Sequence, residues 1–215
     1  MAELTDTLNQ LLESHAGQIS QRIDADPART RTAIDAAVPA LLAALGNEAE
    51  RGEGLKQAIA KDHDGSIIDQ LSGYLDGSAQ LSPRTTNGSG ILDHALGDQQ
   101  QPMAQALSAK TGLDMSTIMR LLPLLAPIVM GMLGKKSSSS GGGSDDGFGL
   151  DDLGSILGRE KQDARSKNPD IGDILDSFRP KTGSGSSPSS TRGQRTSSSR
   201  GGLGGLLDAI LGRNR

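Results

Sequence analysis

The side chains best suited to acid–base or metal chemistry in this chain are three histidines, His15, His63 and His94, set among 26 Asp and Glu. Cysteine is absent, which removes disulfides and thiolate chemistry. His63 stands in the run Lys61 to Gly65, KDHDG, where acids flank it on both sides. A divalent cation needs three or more converging ligands, and no His-x3-His or Cys pair supplies the others. The run reads better as a helix start: Asp62 or Asp64 caps the next helix and Gly65 makes the turn. His94 has Asp93 beside it and Ser89 upstream. Neighbours on a helix point about 100 degrees apart, so this pair does not build a base and its orienting group. No nucleophile elbow, phosphate loop or dinucleotide fingerprint is present. His94 is expected at a helix end, its ring toward a backbone carbonyl or the helix dipole. His15 falls on an apolar face and reads as packing. No catalytic, metal or cofactor-binding residue is therefore assigned, and no cofactor is expected.

The element that must position everything else is the run Ile118 to Leu133, IMRLLPLLAPIVMGML. Sixteen residues span about 24 Å at helical rise, short of the roughly 30 Å of a bilayer core. An all-round apolar helix of that length is expected to be buried in protein, without membrane insertion. Pro123 and Pro127 lie four apart and each removes a helical donor, which predicts a kinked or broken helix. Asp114 or Ser116 serves as N-cap, and Gly131 and Gly134 read as stop signals.

Composition divides the chain near Gly134. From Lys135 to Arg215 there are 16 Gly and 16 Ser in 81 positions, too polar and too small for a core, so residues 135–215 are expected to form a disordered Gly/Ser-rich tail. Residues 1–134 hold one aromatic, Tyr74, and a core of Leu, Ile, Val, Ala and Met suits helix packing. The fold class read here is all-α, a compact multi-helical domain around a proline-kinked buried helix. The start MAELTDTLNQLLE has acids where a secretory signal carries basic residues, so a cytoplasmic location is expected. Charge is split: residues 1–134 carry nine Lys and Arg against 16 Asp and Glu, whereas the tail carries 13 against 10. Its basic stretch Thr191 to Gly202 has three Arg and no aromatic, which supports only a salt-sensitive phosphate contact, so nucleic acid is not the expected partner.

In chain order, Leu4, Leu8, Leu11, Leu12, His15, Ile19 and Ile23 form one face of a helix of about six turns. Asp26 and Pro27 open a second helix, as N-cap and N1 proline, running to Gly46 with Pro39 inside it. Short helices come next at Leu55 to Lys61 and in SIIDQLSGYL, the latter closed by Asp76 and Gly77. Ser78 to Gly90 is a loop, followed by helices at Ile91 to Leu96 and in PMAQALSAK, then a Thr111-Gly112 turn. A shift of 84 superposes Ile23 on Leu107, Ile34 on Ile118, Pro39 on Pro123 and Leu41 on Leu125. Two readings stand: an internal duplication, or two amphipathic segments drawn from the same small alphabet.

Three segments carry a resemblance: GSIIDQL (Gly65 to Leu71), GSGILDHALG (Gly88 to Gly97) and LLPLLAPIVMGMLG (Leu121 to Gly134). Together they resemble the bacterial family catalogued as domain of unknown function 937, related to YidB-like proteins, over about Leu4 to Gly134. The resemblance implies an all-helical bacterial domain, often with a Gly-rich tail, and no established activity. The family's ILxHxxG element falls on Ile91, Leu92, His94 and Gly97. Leu96 stands where an aromatic is frequent, a departure that argues against a special pocket beside His94.

The tail contains three related islands, at 151–158, 169–176 and 201–212. Each has an apolar residue, Gly, a spacer and two more apolar residues, which makes one face of a helical turn. Such short helices order only on binding. Leu153, Ile156, Leu157, Ile171, Ile174, Leu175, Leu206, Leu207, Ile210 and Leu211 are the expected anchors. The function expected is a non-enzymatic interaction or assembly module, its anchors docking on itself or on a protein partner. The alternatives are a C-terminal targeting peptide, 203–215, captured by a larger assembly, and an enzyme of undetected chemistry near His63 or His94.

Overall fold

The computed structural model describes residues 4–52, 54–139, 155, 157–159 and 162; up to Ser139 they form nine helices and a 3₁₀ turn, those from 155 on are helical too, and no strand occurs among them. The apolar spacing of the first segment forms α1 (Leu4–Ser14) and α2 (Ala16–Ile23). The single helix expected here is interrupted at His15, whose ring Nδ1 lies 2.9 Å from Leu11 O while Ser14 Oγ donates to the same carbonyl. These local side-chain bonds compete with the helical ladder.

Asp26 then caps α3 (Pro27–Arg51), accepting the Arg29 amide at 2.9 Å. The helix runs five residues past Gly46, where its end was expected. Three short helices come next: α4 (Gly54–Asp62), α5 (Ser66–Asp69) and α6 (Leu71–Asp76), the last closed by Gly77 at a φ of 85°. Asn87 caps α7 (Gly88–Ala95) by accepting the Gly90 amide, and the 3₁₀ turn Gly97–Gln99 leads into α8 (Gln100–Thr111). Asp114 opens α9 (Met115–Ser139), accepting the Thr117 amide at 3.0 Å.

Helices α3 and α9, 25 residues each, pack on one another and form the centre. α1 and α2 lie on α3, while α7 and α8 lie on α9; α5 and α4 also pack on α9. Met115–Ser137 is long and apolar enough to cross a membrane by length and composition, at a mean hydropathy of 1.7. A 16-residue length is therefore no ground for excluding a span. Burial is the better ground, since 78% of the most apolar window is inside the protein.

α9 runs unbroken through Pro123 and Pro127, and α3 through Pro39. Pro127 leaves the Pro123 carbonyl without a helical donor. Gly88 closes over that oxygen so tightly that a Cβ would sit 1.7 Å from it. One residue further along α9, Leu124 O accepts from the Tyr74 hydroxyl at 3.3 Å. The stop-signal reading of Gly131 and Gly134 is overturned, since both lie inside α9. They let other chain segments approach: a Cβ on Gly131 would meet Ile67 Cγ2 at 2.2 Å, and one on Gly134 would meet His63 O at 1.6 Å.

The shift of 84 relates whole elements. It carries the start of α1 onto that of α7 and the start of α2 onto that of α8. Leu8 and Leu92, Ile19 and Met103, and Ile34 and Ile118 are matched pairs, all buried. Contacts obey the same shift, since α1 and α2 pack on α3 as α7 and α8 pack on α9.

Candidate functional site

His63 is placed by backbone rather than by its ring. It closes α4, donating its amide to Ile59 O at 3.2 Å. The preceding carbonyl, Asp62 O, accepts from the Thr85 hydroxyl at 2.8 Å, and His63 O rests against Gly134 of α9. The next residues make the expected turn: Asp64 Oδ1 accepts the Ser66 amide at 2.9 Å, and Gly65 takes a φ of 97°. Those bonds from Ser66 hold the Asp64 carboxyl below its usual range.

The His63 side chain is only 3% exposed, and among the described residues its imidazole makes no hydrogen bond; Nδ1 is buried without a partner. Burial pushes its pKa below the ordinary histidine value, against the opposing pull of Asp62 and Asp64. The ring is therefore neutral at pH 7. The residue lines a half-open cavity of about 350 Å³ between α3, α4, α7 and α9. Leu45, Leu55, Ala58, Ile91, Ala95 and Met130 supply its apolar walls. Glu48, Asp62, Arg84 and His94 bring charge and polarity to it.

His94 sits in the last turn of α7 as expected, yet its ring bonds no carbonyl among the described residues; it is exposed and is one of the residues lining this cavity. The expectation that Leu96 disfavours a pocket beside His94 is thereby corrected, because Leu96 is buried and does not line the cavity. Ser89, Asp93 and His94 do not assemble. Asp93 accepts from Gln100 Nε2 at 2.7 Å, and Ser89 lines a different cavity, beside Arg22 and Arg120. Among the described residues no cluster of three or more His, Cys, Asp or Glu converges as a metal site. The shared wall formed by His63 and His94, 31 positions apart, had no local signal in the sequence.

Of the ten expected anchors, Leu157 alone lies among the described residues; the other nine and the segment 203–215 lie outside them. Leu157 is helical and fully buried. It sits on Gly46, in the C-terminal half of α3, where an added Cβ would come within 3.1 Å of Leu157 Cβ and 3.7 Å of its carbonyl. The residue 84 positions on, Met130, is also buried but fills its place with a side chain.

An all-helical domain built on two proline-containing central helices is the class of protein defined here. The family model described as bacterial protein of unknown function (DUF937) matches residues 6–136, and the chain belongs to that family. No curated protein and no solved structure matches it.

Proposed function

We propose that this chain is a non-enzymatic interaction module whose tail carries the peptide that its own domain recognises. The observation that carries the reading is Leu157, wholly buried on Gly46 of α3. Glycine inside a helix costs roughly 0.5–1 kcal/mol relative to alanine, and at position 46 that cost permits another backbone to approach closely. A buried leucine contributes about 1.5–3 kcal/mol, enough to hold a short segment that is already tethered. The islands at 169–176 and 201–212 repeat the pattern around Leu157, with Leu175 and Leu207 in its place. In this reading they are further copies of one anchor, able to occupy the seat on the same chain or on a second one.

The test uses the full chain and a labelled peptide of residues 201–212. Leu157→Ser empties the seat and should raise peptide affinity at least about tenfold over wild type. Gly46→Leu fills it and should abolish binding. Equal binding by all three proteins would remove the seat from the mechanism. Amide hydrogen exchange at several concentrations separates docking within a chain from docking between chains, because only the latter gains protection as protein is added.

A further inference from the structure

The seat on α3 has a counterpart on α9 that the folded domain fills itself. There α5 packs on α9: Ile67, wholly buried, stands against Gly131, where an added Cβ would meet its Cγ2 at 2.2 Å, and Ile68 lies beside it. Gly65 opens the turn at a φ of 97° and lets the chain pass close to α9, since a Cβ on it would meet Lys135 Cβ at 2.8 Å. Asp69 closes the turn with an ion pair to Lys135. Residues 65–69 thus read glycine, spacer, two apolar residues, aspartate.

The tail islands carry the same string. Gly154 to Leu157 repeats Gly65 to Ile68 with Leu for the last Ile, and Ser155, like Ser66, is helical. Residues 172–176 and 204–208 add the closing acid, Asp176 and Asp208, where the first island has Gly158. The receiving helices correspond as well. The shift of 84 carries Lys135 onto Arg51 and Gly131 onto Asn47, which adjoins Gly46. Leu157 on Gly46 therefore repeats, one position along α3, the placement of α5 on α9. The first island has no acid at the closing position, and Arg51 pairs within its own helix, with Glu48 at 3.3 Å, while staying more than half exposed.

We infer that the seat on α3 recognises residues 172–176 as α9 holds α5, with Leu175 on Gly46, Gly172 left-handed at the start of the turn, and Asp176 paired with Arg51. This rests on the proposed reading of the tail and adds what selects the ligand. Asp176 supplies a contact that the resident island lacks. An exposed ion pair is a small effect, about threefold in affinity. A left-handed backbone is a larger one for an L-residue with a Cβ, which should lose at least about fivefold.

The probe is a capped peptide of residues 167–180, titrated into the full-length Leu157→Ser protein, whose seat is open. Asp176→Asn should weaken binding about threefold, whereas Asp170→Asn, outside the string, should not weaken it. Arg51→Gln in the protein should erase the difference between the native and Asp176→Asn peptides. A peptide with D-alanine in place of Gly172, which favours the left-handed backbone, should bind at least about fivefold more tightly than one with L-alanine there. The wild-type chain should give the same rankings at lower affinity, which keeps the test open if Leu157→Ser fails to fold. An Asp176→Asn peptide that binds as tightly as the native one, a difference that survives Arg51→Gln, or D- and L-alanine peptides that bind alike would overturn the inference while leaving the seat in place. Native peptide binding no tighter to Leu157→Ser than to wild type would sink the seat itself, and this inference with it.

Discussion

Replacing Gly134 with alanine should destabilise the protein by at least about 2 kcal/mol, although the same change at most helical glycines stabilises. In a helix whose backbone accepts it, Gly→Ala gains about 0.4–1 kcal/mol by restricting the unfolded chain. At Gly134 the new Cβ would lie 1.6 Å from His63 O and 2.8 Å from His63 C. That is roughly 2 Å short of an ordinary contact, and the obstacle is backbone, which cannot rotate away. The loop must move, at a strain of about 1–3 kcal/mol, and the Thr85 to Asp62 bond that ties it down adds about 1 kcal/mol if lost. Gly17 is the internal control, since a Cβ there meets nothing within 4 Å. Gly17→Ala should therefore stabilise by up to about 1 kcal/mol. Urea unfolding followed by helical signal reads both: the midpoint should fall for one variant and rise for the other, with the slope unchanged. If Gly134→Ala proves as stable as wild type, the close packing of α9 on the His63 loop is wrong.

Other perturbations test separate contacts. Burial raises the Tyr74 hydroxyl from its ordinary 10 to about 12, against the lowering effect of Arg22. The folded state thus holds this proton longer than the unfolded chain, and stability should decline as pH rises from about 10 to 12, by roughly 2 kcal/mol at most. Tyr74→Phe should flatten that decline and cost about 1 kcal/mol at neutral pH by losing the bond to Leu124. His63 has the opposite sign: its folded pKa is depressed, so the unfolded chain takes up its proton first. Stability should fall as pH drops below about 6.5, a loss that His63→Leu removes. Asp62 and Asp64 on its own loop, with Glu48, Arg84 and His94 across the cavity, are the other titrating or charged groups that face this region. Bonds from Ser116 and Thr117 hold Asp114 down to about 2, so stability should be lost as pH falls from about 4 toward 2. Asp114→Ala should lower Tm and abolish that dependence.

How much was legible in the sequence depends on the reach of each signal. Asp26 with Pro27, Asp114, Gly77 and Gly112 act within about four residues, and each ends or begins the helix beside it, whereas the Asn87 cap was missed and α7 begins at Gly88, inside the expected loop. The apolar run of α9 announced a buried helix because its composition leaves no polar face. The interruption at His15 was missed because two side-chain bonds to Leu11 O carry it, and periodicity does not register them. The shift of 84 was visible as matched residues, whereas the matched packing of α1 and α2 on α3 with α7 and α8 on α9 appears only in space.

The sequence by itself determined the helical class, the place of the central helix and most helix starts, because capping and amphipathic spacing are local. Tertiary structure alone decided the meaning of Gly46, Gly88, Gly131 and Gly134. Their partners, Leu157, Pro123, Ile67 and His63, lie 35 or more positions away, and a glycine in a string does not say whether it ends a helix or admits a neighbour. The cavity shared by His63 and His94 belongs to the same class of fact. It exists because α4 and α7 both pack against α9, and no spacing along one helix encodes that.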